Sequence, residues 1–151
     1  MTHIKIFRPT TLLLLTIASF LTGCSSVPVA GGVTDGRLAS CPAKDNCVST
    51  FSTRPDQKIE PLHFTGTPAA AMEKLKSVLA KRGDNKIVEQ NDHYLHVEFT
   101  TPIMRFVDDG EFLLEGHEID LRSASRIGYT DFGKNRSRLE EVRKAFEPCC
   151  E

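Results

Sequence analysis

From Tyr94 to Phe99 the chain alternates, with Leu95, Val97 and Phe99 on one face of an extended segment and Tyr94, His96 and Glu98 on the other. Such period-two alternation is the pattern of a strand with one face in a core and the other polar. Lys86 to Gln90 reads as a short strand before it, joined by a turn at Asn91-Asp92. Phe106 to Leu114 and Glu118 to Arg122 read as a hairpin around Glu115-Gly116. Strands joined by turns this short pair antiparallel, because parallel neighbours need a crossover of about a dozen residues or more.

Two helices flank this run. Thr67-Pro68 predicts a helix start, the hydroxyl as N-cap and the proline in the first turn. Met72, Leu75, Val78 and Leu79 recur at helical spacing, and Gly83 suits the C-cap. A last helix is expected over about 135–146, with Asn135 as N-cap and Leu139, Val142 and Phe146 as its apolar stripe. Lys58 to Phe64 is a first strand that Pro61 confines to an edge or bulge. Helices with one apolar stripe must bury it on the sheet. The expected fold is α+β, two layers, a mainly antiparallel sheet with two helices packed on one face.

The chain begins with a segment of another kind. Lys5 and Arg8 precede an apolar run of 10 residues, Leu12 to Leu21, and the small residues Thr22 and Gly23 lead to Cys24. A membrane span needs roughly 20 apolar residues, so residues 1–23 read as a signal peptide. Leu21-Thr22-Gly23-Cys24 resembles a bacterial lipobox. The resemblance implies acylation of Cys24, removal of the signal, and anchoring by chains that contribute about 0.8 kcal/mol per buried methylene. Ser25 and Ser26, where an Asp would suggest inner-membrane retention, favour the outer membrane, with the domain facing the periplasm. Residues 24–40, small and Gly-rich, read as a flexible tether, and residues 41–148 as one domain.

The remaining cysteines are Cys41, Cys47, Cys149 and Cys150. An even number in an exported chain suggests disulfides. Cys41 with Cys47 is favoured, leaving Cys149-Cys150 as a vicinal pair or two thiols. Alternatively both tail cysteines reach back to the first pair. These spacings match zinc sites poorly, so no metal and no cofactor are expected. The net charge of −1 becomes −3 once Lys5 and Arg8 leave with the signal. That balance argues against nucleic acid as a partner.

A signature runs through Cys41-Pro42, Asn46-Cys47-Val48-Ser49, Phe106-Val-Asp-Asp-Gly-Glu-Phe112, and Arg122-Ser-Ala-Ser-Arg-Ile-Gly-Tyr-Thr-Asp-Phe-Gly-Lys-Asn-Arg-Ser-Arg138. It resembles the domain of unknown function 1499 family, from Cys41 to about Phe146. That family implies a fold but no established activity. Gly110 departs from the β-former more usual between the acids.

Physically, the signature is an acidic strand followed by a basic segment. A turn at Glu115-Gly116 predicts Asp109 opposite Arg122 and Glu111 opposite Asp120. Asp108, Asp109, Glu111, Arg122, Arg126, Asp131, Asn135 and Arg136 then form either a structural arginine–carboxylate network or a ligand site. In the second case, Arg126 and Arg136 flank the amino end of the last helix and recognise an anionic group.

No catalytic residue is assigned. Ser123 and Ser125 lack a nucleophile elbow and a nearby His. His93 and His96 point to opposite faces, and His63 and His117 read as exposed. Asp131-Phe132-Gly133 matches a kinase tripeptide without the other kinase motifs. The leading expectation is a membrane-anchored, non-catalytic envelope domain whose partner is an anionic small molecule or an envelope protein. The alternative is a hydrolase or transferase using Asp109 and Glu111, although carboxylates beside arginines make poor general acids.

Overall fold

In the computed structural model, which describes residues 27–147, the alternating segment lies in the middle of an antiparallel sheet. Cys24, Cys149 and Cys150, and with them the lipobox and the tail pairings, lie outside the described residues. The elements run β1 (Val33–Thr34), β2 (Arg37–Leu38), β3 (Cys47–Ser49), β4 (Leu62–His63), α1 (Pro68–Arg82), β5 (Asn85–Gln90), β6 (Tyr94–Thr100), β7 (Val107–Glu115), β8 (Glu118–Ser125) and α2 (Lys134–Phe146). The main sheet has the order β3-β8-β7-β6-β5, and β4 pairs with the other end of β8 beside β3. This is the α+β architecture expected from the sequence.

Both helices bury their stripes on one face. Met72, Leu75 and Leu79 of α1 and Leu139, Val142 and Phe146 of α2 share a core with Leu95, Val97, Phe99, Phe112, Ile119 and Leu121. Each of these largely buried side chains contributes roughly 1.5–3 kcal/mol by leaving water. Thr67 caps α1 by accepting from the Ala70 N–H at 3.2 Å, and Gly83 ends it at φ 73°. Cys41 and Cys47 form the expected disulfide at the start of β3.

Three local expectations are corrected. The β7–β8 turn is centred on Gly116-His117, with Glu115 opposite Glu118, so the register is shifted by two residues. Gly116 at φ 60° takes the first central position of a two-residue hairpin loop, where a left-handed conformation favours glycine. Arg122 therefore faces Glu111, not Asp109, and Asp120 faces Leu113. The N-cap of α2 is Gly133, not Asn135. Asp131 supplies the capping acceptors, taking the Gly133 N–H at 3.0 Å and the Asn135 N–H at 2.7 Å.

The third correction concerns the tether. From Val29 onward it belongs to the folded unit. Residues 29–32 lie on the face of the sheet opposite the helices, and β1 and β2 form a hairpin there with Asp35 and Gly36 at positive φ. Leu38 packs with Tyr94, Leu113 and Phe51. The folded unit thus begins at Val29, five positions after Cys24, rather than near Cys41.

Candidate functional site

Directly opposed residues of an antiparallel ladder share a face, so the register sorts the polar cluster into two networks. His96, Glu111 and Arg122 form one row on the face away from the helices, and Glu98, Asp109 and Ala124 form the next. Asp108 and Ser125 oppose each other on the helix face.

On the open face, Asp109 and Glu111 are each 0% exposed. Arg126 closes on Asp109 with its Nε at 2.9 Å from Oδ2 and its Nη2 at 2.8 Å from Oδ1. His96 Nε2 lies 2.7 Å from Oδ1, and the Val29 N–H donates to Oδ2 at 2.8 Å. Arg126 also pairs with Glu98. Glu111 accepts from Arg122 Nη1 at 2.7 Å, from the Tyr94 hydroxyl at 2.9 Å, and from the N–H groups of Gly32 at 2.8 Å and Gly31 at 3.2 Å. Arg122 Nη1 donates in turn to the Val29 carbonyl at 3.1 Å. Residues 29–32 therefore lie across the two carboxylates and are held by them.

The electrostatics follow from these contacts. Burial alone would raise the Asp109 carboxyl, but hydrogen bonds from Arg126, His96 and the Val29 N–H outweigh it and hold the group well below the usual carboxylate range. The hydrogen bond with Asp109 pushes the Arg126 guanidinium up, against burial. Burial first, and the Glu111 charge next, raise the Tyr94 hydroxyl, so it remains a donor.

The helix-face network is built on α2. Arg138 donates to Asp108 Oδ2 at 2.8 Å and stacks its guanidinium 4.8 Å from the Phe99 ring centroid. Asn135, 0% exposed, accepts from Ser123 Oγ at 2.5 Å and Arg138 Nη1 at 3.1 Å. Its amide donates to the Asn46 carbonyl and to Ser125 Oγ, each at 3.0 Å. Side-chain functions of Asn135 are thus spent joining β8 and α2 to Asn46, the residue just before β3. Each network leaves one buried guanidinium N–H, the Nε of Arg122 and of Arg138, without a partner.

The structure does not bring Arg126 and Arg136 to one pocket. Arg126 sits on the open face, whereas Arg136 donates to the Asp56 and Lys58 carbonyls at 2.9 and 2.7 Å beside α2. The cavity of about 270 Å³ next to Arg136 is lined also by Asp45, Asp56 and Asp131. Three carboxylates around one arginine, already bonded to carbonyls, disfavour an anion there. Ser123 is fully buried against Asn135 and has no route to a substrate. His63 and His117 are exposed, as read. Among the described residues, no group of three His, Cys, Asp or Glu side chains could hold a metal ion.

Sequence reasoning missed Tyr94, His96, Glu98 and Arg138 as members of these networks. The first three were legible as one face of β6. What was lacking was the β6–β7 pairing that sets them against Asp109 and Glu111.

Asp120 behaves in the opposite way to Asp109. Burial pushes its carboxyl up, against a hydrogen bond from Thr50, and the charges of Glu115 and Glu118 push it further. A carboxyl raised in the folded state destabilises the fold once pH exceeds its unfolded value of about 3.9. Asp120→Asn is therefore expected to raise Tm by a few degrees at pH 7 and to leave it unchanged near pH 3. A thermal melt at both pH values checks this.

No curated protein and no solved structure matches the chain. The model of the family described as protein of unknown function DUF1499 matches residues 37–146. That span contains β2 through α2 and every side chain of both networks, and the chain belongs to this family.

Proposed function

We propose that this protein is a lipid-anchored envelope protein with a non-catalytic interaction role, in which the carboxylate network clamps the segment nearest the anchor onto the domain. The single observation that carries the reading is the ending of Asp109 and Glu111 on arginines and on backbone N–H groups of residues 29–32. A hydrolase or transferase using this pair would need a carboxyl that substrate can reach and that can hold a proton near neutral pH. Asp109 and Glu111 are buried beneath the chain, and Asp109 is held ionised. Acylation of Cys24 would place the clamped segment, which starts five positions later at Val29, next to the membrane. Ser25 and Ser26 support the outer membrane as the destination, with the domain in the periplasm.

Cys24→Ser tests the anchor. The variant is expected to accumulate uncleaved, without acyl mass in intact-protein mass spectrometry, whereas the parent carries acyl chains and fractionates with the outer membrane. A variant that is still cleaved and still membrane-bound through acyl chains would sink the reading.

A further inference from the structure

β6 ends at Thr100, β7 begins at Val107 and β8 ends at Ser125, so the loops 101–106 and 126–133 project from the same end of the sheet. Of the 9 exposed large hydrophobic residues among those described, 6 are on these two loops. Ile103 is 87% exposed, Met104 65%, Tyr129 65% and Phe132 95%, joined by Phe106 and Ile127. Phe106, Ile127 and Phe132 line a cleft of about 200 Å³ between the loops. Apolar side chains gathered in this way mark a contact surface rather than the scattered exposure normal for a domain. Arg105 and Lys134 stand beside them, and neither pairs with a carboxylate among the described residues.

The path of the chain says what covers this surface. Residues 29–32 run from Asp109 toward Glu111, and Leu38 reaches Tyr94 and Leu113. Traced backward, the chain heads for the end of the sheet that carries the apolar loops. Val27, two positions before Val29, is 79% exposed, and Cys24 is three positions before Val27, so about 11 Å of it at most when fully extended. The lipid on Cys24 would thus enter a bilayer beside the loops, leaving little room for a protein between them.

We propose that the loops 101–106 and 126–133 dock on a phospholipid bilayer, with Ile103, Met104 and Phe132 in the interface and Arg105 and Lys134 against anionic headgroups. Apolar and aromatic tips with a basic rim are the chemistry of interfacial binding. The inference rests on the acylation of Cys24.

The chain has no Trp, so single introduced tryptophans report depth without background. Phe132→Trp is placed on the docking loop. Asp92→Trp sits in the β5–β6 turn at the far end of the sheet. The full acylated chain of each is reconstituted into phosphatidylcholine–phosphatidylglycerol vesicles containing brominated acyl chains. Emission of Phe132→Trp is expected to fall at least about twofold relative to unbrominated vesicles while Asp92→Trp is unaffected. Flotation with the vesicles but no quenching of Phe132→Trp overturns the docking and leaves the anchor standing. Equal quenching of both also overturns it, because another face then lies on the membrane. A mature chain without acyl mass that does not float removes the anchor, and the docking with it.

Discussion

Asp109→Ala is expected to cost about 3–5 kcal/mol of folding stability, the range for breaking a buried, hydrogen-bonded charge pair by removing one partner. The reason is what remains behind. Arg126 would lose both of its bonds to this carboxylate, and His96 and the Val29 N–H would face a void where a carboxylate had satisfied them. For a domain of this size the loss corresponds to on the order of 10–20 °C in Tm. It is also pH-dependent. A carboxyl held below its unfolded value of about 3.9 stabilises the fold above that pH, and the contribution is lost as pH falls toward the folded value. The gap between parent and variant should therefore narrow below about pH 4. Thermal melts of both proteins from pH 7 to pH 2.5 would read the effect. Arg54→Ala, which breaks an exposed cluster with Asp45 and Asp56, is the contrasting control and should barely move Tm. Equal small losses for Asp109→Ala and Arg54→Ala would mean that the open-face network holds nothing together.

Gly110→Ala is expected to destabilise by about 2–3 kcal/mol, although alanine is an ordinary strand residue at that backbone conformation. A Cβ at Gly110 would stand less than 3.0 Å from Phe99 Cε2. The Phe99 ring cannot move aside easily. It is fully buried in the core, with the Arg82 and Arg138 guanidinium groups 5.9 and 4.8 Å from its centroid. Arg138 is itself tied to Asp108 and Asn135, so a displaced ring would strain the helix-face network as well. The clash predicts a specific coupling. Phe99→Leu alone should destabilise by creating a cavity, yet in the Gly110→Ala background it should cost less, because it removes the colliding atoms. Chemical denaturation of the four proteins of this cycle provides the test. Strict additivity would show that the glycine serves some other purpose than room for the ring.

Much of the fold could be read from periodicity. The alternation at 94–99, the Thr67-Pro68 start and the 72, 75, 78, 79 stripe each named an element and a face that the structure keeps. The polar site was legible in part: Asp109, Glu111, Arg122 and Arg126 stood out in the sequence, whereas Tyr94, His96, Glu98 and Arg138 did not, and Arg136 lies elsewhere. A hairpin register slipped by two residues preserves the faces of both strands, so Asp109 and Glu111 were rightly placed together. The same slip misassigned their partners, because Phe112 meets an apolar residue in either register. The tether was misread for a different reason. Its glycines suggested freedom, but Gly31 and Gly32 donate their N–H groups to Glu111, and a side chain at Gly31 would collide with Ala39. Asp35-Gly36 between Val33-Thr34 and Arg37-Leu38 is a two-residue hairpin signal that could have revealed the fold of this segment. No local pattern, however, says that such a hairpin will lie across carboxylates 80 positions away. That information resides in pairing between distant segments, as does the separation of Arg126 from Arg136 onto opposite faces.

Buried carboxylates clamp residues 29–32, and amide hydrogen exchange on the full chain tests this most directly. The Val29, Gly31 and Gly32 amides are expected to exchange on the order of 100-fold or more slowly than in a free peptide. In Glu111→Gln the Gly31 and Gly32 amides should lose most of that protection while the amides of β6 and β7 retain theirs. Exchange of Gly31 and Gly32 at the free-peptide rate in the parent protein would contradict the account.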